Sequence, residues 1–132
     1  SCHSPHQTAL TRLLLAKAPD LCLNCHEPLK TAMASSRVHP PAARDCVRCH
    51  KPHASAENRL MAKPVRESCA ECHDLRSVAF GDAHLQIDPA RIRCERCHDP
   101  HASNDQHFFK KNVHPPFGMK ACTDCHLAGK VK

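Results

Sequence analysis

The sequence predicts a mostly irregular fold with short α-helices and little or no β-sheet, wrapped around bound groups rather than around a side-chain core. The 132 residues include 11 cysteines and 13 histidines, and 11 prolines interrupt regular structure. The only aromatic residues of the Phe, Tyr and Trp classes are four Phe. Aromatic side chains supply much of the buried area of small domains, so something else must fill this interior.

Short helices are the expected regular elements. Residues Thr8–Ala18 begin with a polar N-cap and continue with a run rich in Ala and Leu, which predicts a helix of about two to three turns. A similar helix is predicted for Ser55–Lys63, which also ends before a proline. A third can begin at Pro89 and run through Cys97.

Charge and hydropathy argue against nucleic acid as a partner and against a membrane-spanning segment. Nineteen Lys and Arg against thirteen Asp and Glu give a formal charge of +6, but the basic residues are scattered and few aromatic side chains could stack on bases. Nucleic acid is therefore not an expected partner. The longest apolar run, residues 13–16, is far shorter than the ~18 residues that a membrane span needs.

Ten of the cysteines form five CxxC pairs, and a histidine directly follows every pair. At this histidine content, five matches by chance have a probability on the order of 10⁻⁵. CxxCH is the attachment site of c-type haem, in which both thiols bond the porphyrin and the histidine ligates the iron. The sequence thus predicts five haems. Their residues are Cys22, Cys25 and His26; Cys46, Cys49 and His50; Cys69, Cys72 and His73; Cys94, Cys97 and His98; and Cys122, Cys125 and His126.

Two other uses of cysteine fit less well. Zinc ribbons also contain paired CxxC motifs, but they do not need a histidine after each pair. Disulfide scaffolds usually have an even number of cysteines and no fixed histidine partner. Eleven cysteines with five matched histidines therefore favour haem.

The remaining cysteine, Cys2, is followed by His3. Three stretches share the pattern His-x-Pro-His, residues 3–6, 50–53 and 98–101, at offsets of 47 and 48 residues. This repeat superposes Cys2 on the second cysteine of a complete motif. We therefore expect Cys2 and His3 to be the end of a sixth haem motif. The alternative is a free thiol beside a surface histidine.

A period near 47 residues is typical of a repeat architecture. With its doubled CxxCH motifs, the chain resembles the multihaem cytochromes c, over nearly its whole length. The resemblance implies one multihaem domain of three haem-pair units, at about 1–37, 38–83 and 84–132. It also implies short helices and loops around closely packed haems.

The other histidines are candidates for the second axial ligand. His53 lies three residues after a haem-binding histidine, and so short a segment cannot pass around the macrocycle, so it must ligate a different haem. The same argument applies to His6 and His101. The other expected ligands lie seven to ten residues before a motif and are His39, His84 and His114. His107 is then a spare, unless it replaces His114.

Three functions are compatible with this pattern. Electron transfer through bis-histidine haems is the first, because such iron has no open position for a substrate. Reduction of a nitrogen or sulfur oxyanion is the alternative and needs one open haem with a polar cleft. A structural segment of a larger assembly is the third. We expect a non-enzymatic electron carrier in the bacterial periplasm or outside the cell, with other redox proteins, multihaem cytochromes or further copies of itself as partners.

Overall fold

The computed structural model describes residues 1–112 and 119, and it confirms a mostly irregular chain with short helices. In chain order, the α-helices are α1 (Asp20–Leu23), α2 (Glu27–Ser35), α3 (Val65–Ala70), α4 (Val78–Ala83) and α5 (Cys94–Cys97). Single 3₁₀ turns lie at Thr11–Leu13, Cys46–Arg48, Asn58–Leu60 and Pro89–Arg91. The strands are β1 (Arg37–Val38) and β2 (Ala102–Ser103).

Local sequence explains where several of these elements begin. The Ser77 side chain accepts a hydrogen bond from the Phe80 N–H at 3.2 Å and caps α4. Asp45 and Asp88 cap two of the 3₁₀ turns in the same way, through their side-chain oxygens. The longest helix in residues 1–112, α2, has a proline in its first turn, where the missing N–H costs nothing.

The helix predicted for Thr8–Ala18 is wrong, and so is the one predicted for Ser55–Lys63. Each segment forms one 3₁₀ turn inside a loop that folds back on the preceding histidine. The third unit repeats the loop without that turn. The amide after the histidine donates to a carbonyl nine residues further along, and this carbonyl belongs to a residue with positive φ. The pairs are Ser4 with Leu13 (2.8 Å, φ 55°), Lys51 with Leu60 (2.7 Å, φ 54°) and Asp99 with Phe108 (2.7 Å, φ 60°).

The helix expected from Pro89 through Cys97 is interrupted. Ile92 and Arg93 have extended backbone, so a 3₁₀ turn and α5 form separately. In all three segments, non-local hydrogen bonds or extended residues override the helical propensity of the sequence.

The two short strands connect distant parts of the chain. β1 pairs antiparallel with β2, with Arg37 opposite Ser103 and Val38 opposite Ala102. Within the described residues, Ala102 and Ser103 are the only buried ones, with 7% and 9% of their surface exposed. The side chains of this part of the chain therefore do not form a hydrophobic core, as the composition predicts.

The burial of Ala102 provides a test of the pairing between β1 and β2. Ala102→Asp would bury a charge between the strands, and we expect the free energy of unfolding of the haem-loaded protein to fall by about 1–3 kcal/mol. The matched control is Ala56→Asp, because Ala56 directly follows the second His-Ala-Ser stretch and is exposed. This control should change stability by less than about 0.5 kcal/mol. Guanidinium denaturation measures both, and equal effects would contradict the prediction.

Candidate haem-binding sites

Each complete CxxCH motif in residues 1–112 forms one helical turn. The histidine N–H donates to the carbonyl of the first cysteine, four residues earlier, at 2.9–3.0 Å in all four motifs. Residues i, i+3 and i+4 share one face of a helix, so both thiols and the imidazole lie on the same side. That is the arrangement a covalently attached haem needs. We number the sites 1 to 6 by their histidines: His3, His26, His50, His73, His98 and His126.

A second hydrogen bond fixes the imidazole at sites 1, 3 and 5. There the ring Nδ1 donates to the backbone carbonyl nine residues further along. The pairs are His3 with Arg12 (2.7 Å), His50 with Arg59 (3.0 Å) and His98 with His107 (2.7 Å). A carbonyl can only accept, so the proton is on Nδ1 and the lone pair of Nε2 is free for a metal. Such bonds orient ligating histidines and raise their basicity.

Four pairs of imidazoles lie opposite each other. Their ring centroids are 5.9 Å apart for His3 and His53, 6.0 Å for His50 and His101, 6.1 Å for His39 and His73, and 6.2 Å for His84 and His98. With a metal–nitrogen distance of about 2.0 Å and the ring centroid about 1.1 Å beyond each nitrogen, two axial imidazoles on one iron lie about 6 Å apart. Each pair therefore has the spacing that one iron requires.

Backbone contacts position the second histidine of these pairs. The His39 N–H donates to the His101 carbonyl at 2.9 Å and extends the pairing of β1 with β2. The His101 N–H in turn donates to the Asp99 side chain at 2.9 Å. The His84 Nδ1 lies 2.9 Å from the Phe80 carbonyl, so its Nε2 is also free.

Burial favours the neutral, ligating form of several imidazoles. Desolvation is the main cause of a lowered pKa at His39, His98 and His101. At site 5, Phe109 stacks on His98 at 4.8 Å and Phe80 stacks on His84 at 4.0 Å. These rings keep water from both histidines of the same pair.

Cysteines of neighbouring sites contact each other. Cys22 of site 2 lies beside Cys46 of site 3, and burial together with this neighbour raises the pKa of Cys22 to about 11. Cys69 of site 4 lies beside Cys94 of site 5, and this neighbour lowers the pKa of Cys94 to about 6. The cysteines that would attach consecutive haems are therefore neighbours at sites 2 and 3 and at sites 4 and 5.

Weaker contacts link the other neighbouring sites. The pKa of Cys22 is also raised by Cys2 of site 1, and that of Cys49 by Cys72 of site 4, although burial is the main cause in both. The Arg48 guanidinium lies 3.8 Å from the Cys72 sulfur. Each of sites 1 to 4 is thus near the next site along the chain.

An open cavity of about 400 Å³ lies beside sites 1 and 3. His50 and His53 line it together with the cationic side chains Arg12 and Lys51. An apolar macrocycle with two carboxylates fits this lining, because the cations can pair with propionates.

Three histidines belong to none of the imidazole pairs found in the described residues: His6, His26 and His107. The His107 Nε2 lies 3.0 Å from the Gln106 amide nitrogen, and its carbonyl orients His98. Four predicted residues lie outside the described part of the chain, namely His114, Cys122, Cys125 and His126.

The carbonyls that orient the haem-site histidines could not be predicted as functional groups. They belong to Arg12, Arg59 and His107, which share a position in the repeat but not a side chain. The match of Arg12 to Arg59 at an offset of 47 was the one signal in the sequence.

Residues 1–31 and 39–77 match the model of a family described as the doubled CXXCH motif. The match covers more than half of the chain. The chain belongs to this family. Its paired motifs carry covalently bound c-type haem, and the general function of such multihaem cytochromes is electron transfer. A comparison with curated proteins found no similar sequence.

Cytochromes with CXXCH motifs are typically exported proteins. Among the described residues of this cytochrome, no helix has the length and apolar character to cross a membrane.

The conformation of Arg59 provides a test of the orienting carbonyls. Arg59 has a φ of 58°, which glycine adopts freely but proline cannot, since its ring fixes φ near −65°. We expect Arg59→Pro to displace the carbonyl from His50, to raise the midpoint potential of one haem and to destabilise the protein by about 3 kcal/mol. Arg59→Gly, the matched control, should keep the potential and the stability. Redox titration and denaturation measure these effects, and identical behaviour of the two variants would contradict the assignment.

Proposed function

We propose that this cytochrome conducts electrons along a row of bis-histidine c-type haems in the periplasm or at the outside of a bacterial cell, and that it is not itself an enzyme. The observation that carries the proposal is the set of four imidazole pairs with centroids 5.9–6.2 Å apart. Each pair would occupy both axial positions of one iron. A small substrate then has no position at which to bind.

From these pairs we infer the second ligand at four sites. His53 serves site 1, His101 serves site 3, His39 serves site 4 and His84 serves site 5. His3, His50, His73 and His98 are the ligands from the motifs themselves. His114 remains the expected second ligand for one of the other haems.

We further propose six haems, one of them at Cys2 and His3. Site 1 repeats the Nδ1 hydrogen bond of sites 3 and 5, and its imidazole has a partner in His53 at the expected distance. The family match also begins at residue 1, so it includes Cys2 in the first doubled motif.

The contacts between cysteines favour conduction along the chain. Each haem, when bound, supplies a one-electron iron couple whose potential depends on burial, hydrogen bonds and nearby charge. The protein places the attachment edges of neighbouring sites together, at Cys22 with Cys46 and at Cys69 with Cys94. The formal charge of +6 offsets the negative charge that haem propionates bring. Partners would be other redox proteins.

Reduction of a nitrogen or sulfur oxyanion is the second candidate. It is favoured by one observation, that His26 of site 2 has no opposing imidazole within residues 1–112. An enzyme would need that position open to substrate.

Oxidation of the reduced protein by different electron acceptors distinguishes the two functions. We expect the fully reduced cytochrome to pass electrons rapidly to a ferric monohaem cytochrome c, and to stay reduced when mixed with nitrite, hydroxylamine or sulfite. Stopped-flow absorbance measures both reactions. Catalytic oxidation by one of the small molecules would instead identify a reductase.

The haem count tests site 1. We expect six haems per chain in the pyridine haemochrome assay, and one fewer in Cys2→Ser, because the thioether at Cys2 is lost. Ser1→Ala is the control and should keep all six. Intact mass reads the covalently bound haem independently. Five haems in both the parent and Cys2→Ser would remove site 1 and leave the other sites.

The pairing of His39 with His73 predicts a spectroscopic change. His39→Ala should open one axial position at site 4, so about one additional haem per chain binds carbon monoxide after reduction. His107→Ala is the control, since His107 is exposed and lies in none of the imidazole pairs described above. The difference spectrum with carbon monoxide is the measurement. An unchanged spectrum in His39→Ala would show that His39 is not a ligand.

A further inference from the structure

The second histidine of the His-x-Pro-His pattern has a regular partner. His53 of the second unit lies opposite His3 of the first unit, with centroids 5.9 Å apart. His101 of the third unit lies opposite His50 of the second, at 6.0 Å. In both cases the second histidine of the pattern lies opposite the haem-binding histidine of the first site in the preceding unit.

His6 holds the same position in the first unit. Its N–H donates to the Ser4 side chain two residues earlier at 3.3 Å, as the His101 N–H does to Asp99. Pro5 precedes it, as Pro100 precedes His101. The His6 side chain is exposed, so its imidazole is accessible to a partner.

Site 2 does not fit His6 as its second ligand. The equivalent pair in the second unit would be His53 with His73. These two histidines have other partners, because His53 lies opposite His3 and His73 lies opposite His39. By analogy with His53, His6 would therefore ligate a haem of a preceding unit and not the haem of His26.

We propose that His6 is an axial ligand of a c-type haem that is held by none of the six sites of this chain. The haem belongs to another repeat unit of the same kind, either in a preceding segment of the polypeptide or in a second cytochrome molecule. This inference rests on the proposed bis-histidine row. His6 would extend that row beyond site 1.

Carbon monoxide binding by residues 1–132 alone is the first test. In this protein, His53→Ala should gain about one carbon monoxide-binding haem relative to the parent, since His53 serves site 1. His6→Ala should gain none, because the haem of His6 is not in the chain. A gain in His6→Ala equal to that in His53→Ala would make His6 a ligand within the chain and overturn the proposal.

Binding of an external haem is the second test. The probe is a haem peptide with one CxxCH-attached haem, its own histidine and an open sixth position. We expect the parent to convert the ferric peptide from high spin to low spin, and His6→Ala to bind it at least about tenfold more weakly. Gln7→Ala, which changes the exposed side chain next to His6 and keeps the histidine, should bind like the parent. Equal binding by the parent and His6→Ala would overturn the proposal.

A third variant covers the case in which His6→Ala fails to mature. His6→Met keeps an axial donor, so the bound haem peptide should show the charge-transfer band of a methionine–iron bond in place of the bis-histidine spectrum. Complex formation without any methionine band would contradict ligation by residue 6.

Light scattering identifies the source of the haem. Association that depends on protein concentration and is lost in His6→Ala supports a haem from a second molecule. A monomer that still binds the haem peptide supports a haem from a preceding segment. Failure of the bis-histidine row itself has a different signature, because His53→Ala would then gain no carbon monoxide-binding haem.

Discussion

The opposition of imidazoles from different repeat units is the interaction on which the rest of this structure depends. His3 with His53 joins the first two units, and His50 with His101 joins the second to the third. Within the described residues, only Ala102 and Ser103 are buried, so side-chain packing contributes little cohesion. Metal bonds across such pairs would supply it, and binding free energy would become folding free energy, as in other small metal-dependent domains.

The loops that follow His3, His50 and His98 position these histidines by hydrogen bonds, although some of their residues have an unfavourable backbone conformation. Non-glycine residues with positive φ are unfavourable, yet Leu13, Leu60 and Phe108 all adopt this conformation in their respective units. Three hydrogen bonds join the loop to the histidine segment: one from the imidazole Nδ1, one from the amide after the histidine, and one to the carbonyl of the cysteine before it. The residue whose carbonyl accepts the hydrogen bond from the imidazole is arginine in two units and histidine in the third. The side chain can differ because only the backbone carbonyl makes the contact.

Neighbouring sites lie close together because the chain folds back between them instead of running extended. The loops at residues 4–13 and 51–60 each return by hydrogen bonds to the histidine segment from which they start. The cysteine contacts between sites 2 and 3 and between sites 4 and 5 reflect this. In the proposed haem row, cohesion and conduction would depend on the same geometry, which fits an electron carrier better than an enzyme with a separate substrate cleft.

The sequence by itself determined the attachment sites, because CxxCH is one helical turn whose geometry depends only on residues i to i+4. It also determined the irregular fold and, through its low aromatic content, the lack of an aromatic core in residues 1–112. Chain connectivity predicts that His53 serves another haem, but only the tertiary structure places its imidazole 5.9 Å from that of His3. The tertiary structure also replaced the predicted helices of Thr8–Ala18 and Ser55–Lys63 by loops. In both cases the deciding contacts join residues distant in sequence, and such contacts outweigh local propensity.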